Sequence, residues 1–586
     1  MRQHITSLVT AASLIFSSPI GLHAQEHTAS MAGRNTQEIN GSVPVDYPIP
    51  PVAIDDSRQR PKADSLVLPP AAAALGNDLG SLKISSSLEL PDKPSQVRIR
   101  ELRPLSLTEA KRIAEVNNPS LSTAVSEVNQ ARSALRAEIS RWYPTVSLTA
   151  SSLPQYLYRE SQDYGSSRLT NPLANPTVIL PSANRPGKLD ALTTRSDVWS
   201  VTLTAQVQWN IIDPVRVPTI AAARDTLERT RNTYLIALRD LRLRVAESYF
   251  SLQRADAGVA IGQQSLQASL VSLRDARARL QVGVATKLEV LEAETQLARD
   301  RQLLAVSLGD QNISRRSLAA LLSLPQHVSP TAATPTQVIG VWEPSLQESI
   351  IAAYNLREEL AQSILDISIN NSFANAAIAT VQPTLSLLNT VSTSRYDGDR
   401  GIEISQPSTD FYGWSFDNTI GLSANWRLYD GGRAKAESRR LKERSKQSEL
   451  QFASQRNSIR QEVEQSFFNL RTANKNIGTT SRQILSATES LQLARLRFQA
   501  GVTTQREVVD TQRDLTQARS RYADAVDLYN RSLARLQRRT GLDHVKLCSS
   551  PRLPPGKPAG ESVTEVPIEP VPFRPACESS VLPSQG

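Results

Sequence analysis

Two periods alternate along this chain. From Leu238 every seventh position is apolar (Leu238, Val245, Leu252, Val259, Leu266, Leu273, Leu280), and the positions three further on are mostly small (Leu241, Ser248, Ala255, Gly262, Ser269, Ala276). A matching series runs Val463, Leu470, Ile477, Ile484, Leu491 and Phe498, with Ser466, Ala473, Thr480, Ala487 and Ala494 beside it. A seven-residue period kept this long predicts supercoiled helices, with large side chains entering holes lined by small ones. Long helices are expected over about 214–282 and 432–500, each on the order of 100 Å at 1.5 Å per residue. The other period is two. In WSVTLTAQVQW the odd positions Trp199, Val201, Leu203, Ala205, Val207 and Trp209 are apolar, and the even ones Ser200, Thr202, Thr204, Gln206 and Gln208 are polar and uncharged. On a strand these fall on opposite faces. Ten steps span roughly 33 Å, or about 24 Å of height at a tilt near 45°. That is close to the ~25 Å apolar band of an outer-membrane barrel, with its aromatic girdles. A strand over a soluble core would show the same alternation, so the rest of the chain has to decide.

The body of the chain is one unit written twice, which bears on the fold before any single element does. WYPTVSL (142–148) returns as VQPTLSL (381–387), and ARARLQVGVATKLEVLE (276–292) returns as ARLRFQAGVTTQREVVD (494–510). The banded strand returns as FDNTIGLSANW, with Phe416, Ile420, Leu422, Ala424 and Trp426 on one face and Asp417, Thr419, Ser423 and Asn425 on the other. Each copy reads helix, strand, long polar loop, strand, very long helix, tight turn, helix. Strands are expected at about 145–153, 198–212, 384–392 and 415–429, with polar loops over 154–196 and 393–413. Pro144 and Pro383 mark helix-to-strand junctions, because the residue before a proline is pushed out of the helical region.

The ends place the chain. A basic start at Arg2, an apolar run from Ile5 to Phe16 and the triplet Leu22-His23-Ala24 read as a secretory signal peptide, too short to span as a helix. No later run approaches ~18 consecutive apolar residues, so a membrane position would have to be taken as strands. Backbone facing lipid must be paired, and about eight strands is the smallest closed barrel. Four strands per chain therefore lie in a soluble sheet or are pooled by several chains, and a trimer would give twelve. The junctions at Asp213-Pro214, Asp430-Gly431, Pro144 and Pro383 all lie at one end of the strand pairs, so every helix leaves from one membrane face.

Composition removes most alternatives. Five histidines at 4, 23, 27, 327 and 544 give no zinc-ligand spacing, and there is no phosphate loop, G-x-S-x-G or H-E-x-x-H. No catalytic residue, cofactor or metal site is assigned. The net charge of +9 comes mostly from arginines spread along helices. Without a basic block interleaved with aromatics it reads as solvated helix faces, not as a nucleic-acid surface. Cys548 and Cys577 sit in a Pro-rich tail and form either a disulfide or two free thiols.

The two-copy plan, the PTVSL and PTLSL strand starts, NPSL at 118–121 and the two GV-x-T turns resemble the outer membrane efflux protein family, the TolC-like channels, over about residues 104–542. The resemblance implies an α+β membrane protein: a trimeric 12-stranded transmembrane β-barrel, four strands per chain, continued by a periplasmic α-helical coiled-coil barrel. It implies an outer-membrane exit channel for efflux or type I secretion, with outer-membrane lipid around it. Its partners would be a periplasmic adaptor and an inner-membrane pump of RND, ABC or MFS type. The competing reading is a non-conducting surface spacer. The expected divisions are a signal peptide (1–24), a Pro-rich disordered extension (25–100), repeat 1 (101–325), an equatorial linker (326–343), repeat 2 (344–542) and a Pro-rich tail (543–586).

The resemblance also assigns sites. Gly283, Val284, Ala285 and Thr286, with Gly501, Val502, Thr503 and Thr504, fall where the family forms the periplasmic tip that meets the adaptor; glycine there also suits a left-handed helix end. Glu507 and Asp510, one helical turn apart, fall where the family rings its constriction with acids, and Glu289 and Glu292 hold the matching place in the first copy. Phe498 and Thr503 stand where the family has a tyrosine and an arginine, with Arg506 as a substitute lock. Trp199, Trp209, Phe416 and Trp426 are the expected membrane-interface aromatics.

Overall fold

In the computed structural model of the chain the described residues are 77–83, 90–164, 191–402, 406–543 and 545–547. The expected signal peptide, most of the N-terminal extension, Cys548 and Cys577 lie outside them. The first repeat opens with strand β1 (Glu101–Leu105) and helices α1 (Leu107–Asn117) and α2 (Pro119–Ile139). It continues as β2 (Thr145–Tyr164), β3 (Ala191–Ile212), α3 (Arg216–Gln281) and α4 (Lys287–Leu321). Strands β4 (Val328–Ala332) and β5 (Gly340–Trp342) link it to the second repeat, which is α5 (Leu346–Leu356), α6 (Glu358–Ala379), β6 (Thr384–Ile402), β7 (Gln406–Asn425), α7 (Arg433–Gln499) and α8 (Gln505–Thr540). A last strand, β8 (Val545–Leu547), follows.

Local signals account for the helix starts. Ser106 and Glu109 cap α1 reciprocally, as Ser345 and Glu348 cap α5. In NPSL, Asn118 Oδ1 accepts the N–H groups of Ser120 (3.0 Å) and Leu121 (3.3 Å), while Pro119 takes the first helical position, where no N–H is needed. Asn118 Nδ2 also donates to the Leu321 carbonyl at 3.1 Å, tying the start of α2 to the end of α4.

The heptad positions form the seams. Leu238, Val245, Leu252, Val259 and Leu273 are buried, as are Val463, Leu470, Ile477, Ile484 and Leu491 in the second copy. One cluster joins α1, α3 and α4 through Ile113, Leu241, Tyr249, Leu318 and Leu322. Its counterpart joins α5, α7 and α8 through Ala353, Ile459, Val463, Leu533 and Leu536. Two smaller clusters hold the far ends of the α3–α4 and α7–α8 hairpins.

The long strands make one antiparallel sheet in the order β2-β3-β6-β7, and neither β2 nor β7 has a second neighbour among the described residues. These strands run well past their expected distal ends. Residues 154–164 and 393–402 are strand rather than loop, while β7 stops at Asn425, short of 429. The extra length keeps its backbone ladder but drops the apolar face, which was the signal used to bound a strand.

Three further expectations are corrected. Residues 77–82 of the supposedly disordered extension form a 3-10 helix, with Leu79 and Leu82 buried in the first cluster and the Leu82 carbonyl accepting from Asn117 Nδ2 at 2.7 Å. The linker is two strands, β4 parallel to β1 and β5 antiparallel to β8, so the start of the Pro-rich tail is paired too. Several arginines read as solvated are buried. Arg239 binds Glu358 (2.7 Å) and the Leu356 carbonyl (3.0 Å), and Arg538 binds Asp240 (2.6 Å) and Glu359 (2.9 Å). Arg357 binds Glu359 (2.9 Å) and Glu462 (2.6 Å). Helices α3, α6, α7 and α8 are thus tied by charge-assisted bonds from buried guanidinium groups, with Asp240 and Glu462 at the partly exposed ends.

Candidate functional sites on the sheet and at the helix tips

Register carries the alternation of β3 across the whole sheet. Successive rungs on one face read Val146–Val207–Asn389–Ile420, Leu148–Ala205–Val391–Asn418 and Ala150–Leu203–Thr393–Phe416. The other face reads Ser147–Gln206–Thr390–Thr419 and Thr149–Thr204–Ser392–Asp417. In these three rungs the first face is apolar apart from Asn389, Asn418 and Thr393, and Val146, Leu148, Ile420 and Leu422 on it are exposed; toward Trp199 the same face also carries Arg395 and Asp397 on β6. Trp199, Trp209 and Phe416 lie on it, while Trp426 follows directly after the last residue of β7 and is exposed. Trp199 stands 5.0 Å from Tyr156, and Tyr412 and Trp414 enlarge that end of the band. At the helix end Trp209 Nε1 donates to the Trp142 carbonyl at 3.0 Å, and the buried Arg216 guanidinium lies 4.3 Å over the Trp142 ring. Alternation found Trp199 and Trp209; Tyr156, Tyr412 and Trp414 were missed because they fell in presumed loops.

At the opposite ends of the long helices the two tips share one geometry. Gly283 and Gly501 have φ of +77° and +76°, a conformation that L side chains avoid. In the first tip the N–H of Gly283 donates to Leu280 O (3.1 Å) and that of Val284 to Arg279 O (3.0 Å). In the second, Gly501 donates to Phe498 O (3.1 Å) and Val502 to Arg497 O (2.9 Å). Both are Schellman closures that satisfy the last helix carbonyls. They leave Val284 and Val502 exposed by 70% and 69%. Ala285 is half-buried. Thr286 caps α4, with Glu289 completing the capping box. Thr504 makes no such side-chain cap, and the Thr503 hydroxyl donates to Glu507 instead.

The expected constriction residues do not form one acidic cluster within the chain. Glu507 pairs with Arg497 across the hairpin at 3.0 Å, and Asp510 lies 3.3 Å from Arg513 and 3.9 Å from Arg506. Glu289 is occupied in its cap, and Glu292, one turn on, is half-buried. Arg506 is 76% exposed and lies 3.9 Å from Asp510 on its own helix. Nearest the tips one tie between repeats is Arg279, whose guanidinium sits 4.1 Å over the Phe498 ring and donates to its carbonyl at 3.5 Å. Arg279 and Phe498 line a cleft of about 700 Å³ between the hairpins, with Ser272, Gln296, Gln505 and Val508. Below it Asp300 is buried in a hydroxyl and amide cage. Ser265 (2.9 Å), Ser269 and Gln296 (3.1 and 3.2 Å) donate to it, and Ser265 reaches Thr516 of α8 at 3.1 Å. A buried carboxylate held by neutral donors fixes the register of packed helices. Arg279, Arg497 and Asp300 looked like ordinary heptad-flanking polar residues, and no sequence spacing singled them out.

Comparison with known proteins agrees with this architecture. The family model described as outer membrane efflux protein matches residues 112–323 and 351–542, one block in each repeat. The chain is 25% identical over 261 residues to "Outer membrane efflux protein BepC" of Brucella suis biovar 1 (strain 1330), covering 44% of this chain. It spans about half, 53%, of that relative's length. Among solved structures, CusC has a TM-score of 0.55 at 19% identity, covering 78% of this chain and 95% of that one. The outer membrane protein VceC of Vibrio cholerae has a TM-score of 0.55 at 16% identity, covering 74% and 96%. At these identities the likeness establishes the fold.

Proposed function

This chain belongs to the outer membrane efflux protein family; proceeding from that, we propose that three copies pool their sheets into a twelve-stranded barrel, three times the four strands of one chain, and serve as the exit duct of a tripartite efflux or type I secretion system. The protein resides in the outer membrane with a large periplasmic portion, and its family comprises channels, not enzymes. The observation that carries the reading is the open sheet. Its largely apolar, aromatic-bounded face asks for lipid, yet among the described residues the outer edges of β2 and β7 pair with no further strand. Hydrocarbon does not tolerate such edges, and a lone sheet cannot close on four strands. Joining β7 of one copy to β2 of the next removes every edge at once.

The face of serine, threonine and glutamine then lines a water-filled lumen, and the long helices continue it as a hollow cylinder in the periplasm. The exposed Val284 and Val502 tips would meet a periplasmic adaptor, with an inner-membrane pump behind it supplying the energy. Glu507 and Asp510 would ring the narrowest part, with Arg279 and Phe498 holding the hairpins together. The leader read in residues 1–24 would direct export.

Mass measurement in gentle detergent, followed by planar-bilayer recording, tests this. A trimer with the conductance of a wide aqueous pore is expected. A monodisperse monomer would overturn the reading, and an impermeable trimer would favour the spacer.

A further inference from the structure

Along most of β3 the sheet is apolar on one face and polar on the other, but near the strand ends farthest from the helices this inverts. The rung Tyr158–Asp197–Asp399–Asp410, just past Trp199 on the lipid-facing side, carries three carboxylates. Its neighbour on the opposite face, Leu157–Val198–Gly398–Phe411, is apolar across all four strands. The next rung inward, Gln155–Ser200–Tyr396–Gly413, adds Tyr396, whose ring lies 5.7 Å from that of Phe411 at an angle of 45°. Tyr396 is laid flat on the wall. A methyl group at Gly413 would meet its hydroxyl oxygen at 2.5 Å, so the ring could not keep this position over any larger residue there. On the outer side of the apolar rung, Arg159 faces the same way and is exposed.

Resting on the barrel reading above, we propose that Leu157, Val198, Tyr396 and Phe411 form an apolar collar inside the outer mouth of the lumen, which with Arg159 binds amphiphilic organic anions carrying a flat ring system. Nearer the helices the same face is mainly serine, threonine, glutamine and asparagine, with Asp417 and a lone Leu388 as exceptions; it offers a ring little beyond hydrogen-bonding groups that water already satisfies, and the Asp417 carboxylate disfavours an anion there. The collar offers aromatic faces and aliphatic surface, repeated in each copy, with a guanidinium one rung away for the anionic head. Outward-pointing carboxylates at the same height keep this end of the sheet out of the hydrocarbon, so the apolar rung is not lipid-facing. Charge selects the occupant: a ring bearing a sulfonate or carboxylate meets Arg159, whereas a neutral ring gains the collar alone.

The test uses the full-length protein in planar bilayers with naphthalene-2-sulfonate added on the strand side, and naphthalene-2-sulfonamide as the neutral isostere. The parent should show reversible block by the sulfonate. Phe411→Ser and, at an exposed position less able to upset folding, Leu157→Ser should each weaken block roughly three- to tenfold, as expected for loss of one aromatic or aliphatic contact. Phe411→Tyr should retain it. Arg159→Gln should weaken block by the sulfonate and leave block by the sulfonamide unchanged. Unaltered block in both serine variants would overturn the collar. So would a severalfold rise in their ligand-free conductance, which would make the rung a plug formed by the three copies against one another. A conducting parent that the sulfonate does not block sinks the collar alone; a preparation that conducts nothing sinks the barrel reading and the collar with it.

Discussion

Glu359 offers the most quantitative test of how the two repeats are held together. Its carboxylate sits among Arg357 and Arg538, both at 2.9 Å, with only 16% of the side chain exposed. Burial alone would raise its pKa, but the hydrogen bond from Arg357 and the charges of Arg538 and Arg357 outweigh this and hold it at about 2, against 4.5. A drop of that size corresponds to roughly 3 kcal/mol favouring the folded, charged form. Because the folded value is depressed, this stability is fully present above about pH 4.5 and is lost as pH falls through about 2; near pH 3 about 2 kcal/mol of it has gone. The neighbouring Glu358 works the other way, since burial raises its carboxyl more than Arg239 lowers it. Its contribution is present below about pH 4.5 and is lost as pH rises through its raised folded value, so it leaves the slope below pH 4.5 to Glu359 and reduces the net loss between pH 7 and 3. Glu359→Gln keeps the shape and removes the charge, leaving Arg357 with Glu462 and Arg538 with Asp240. Hydrogen exchange of the 361–366 amides of α6, measured on the assembled protein at pH 7, should quicken by up to about a hundredfold if opening there is local. Between pH 7 and 3, after correction for intrinsic rates, the parent should lose protection that Glu359→Gln has already lost. Equal exchange in the two proteins at pH 7, or parallel pH profiles, would refute the assignment of Glu359 as the centre of this network.

Three other outcomes are expected. Leu203→Arg, midway along the apolar face, should cost about 2–4 kcal/mol and deplete folded protein from the outer membrane, whereas Thr204→Arg on the opposite face should assemble normally; equal yields would mean the face is not in lipid. Gly283→Val and Gly501→Val force a β-branched residue into φ near +77° and should each cost about 1–2 kcal/mol or more, read as faster hydrogen exchange over the tip and loss of efflux without loss of trimer. Glu507→Ala combined with Asp510→Ala should change single-channel conductance and cation block; unchanged traces would remove both residues from the constriction.

How much of this was legible in the chain depends on whether the signal was periodic. The seams were, since Leu252 and Val463 announce themselves seven residues apart from their neighbours. The membrane band was, since Trp199 to Trp209 alternates without a break. The distal halves of the strands were not, because Asp197, Asp399 and Asp410 put charge on the face that alternation requires to be apolar. The arginine network was invisible for a different reason. Arg239 and Arg538 look like any helical arginine, and only the packing of α3 against α6 and α8 removes them from water. Leu79 and Leu82 sat in a stretch whose overall composition read as unstructured, so two buried leucines were hidden by the average around them.

The internal repeat also predicts how neighbouring copies meet. Within one chain, β3 of the first repeat pairs with β6 of the second, and Val207 faces Asn389. The repeat equates Val207 with Ala424 and Asn389 with Ala150, the offsets being those that carry Trp209 onto Trp426 and WYPTVSL onto VQPTLSL. The hairpins agree, since Leu148 faces Ala205 just as Leu387 faces Leu422. If each repeat occupies an equivalent place in the barrel, Ala424 of one copy must face Ala150 of the next. The exposed Trp426, Leu428 and Tyr429 follow directly after this edge strand. With Cys548→Ser and Cys577→Ser as background, Ala150→Cys plus Ala424→Cys should oxidise to a covalent trimer. A two-residue slip, Ala150→Cys plus Leu422→Cys, should not, because a disulfide demands Cα atoms within about 7 Å. Cross-linking of the slipped pair in place of the aligned one would show that the two repeats are not interchangeable around the ring.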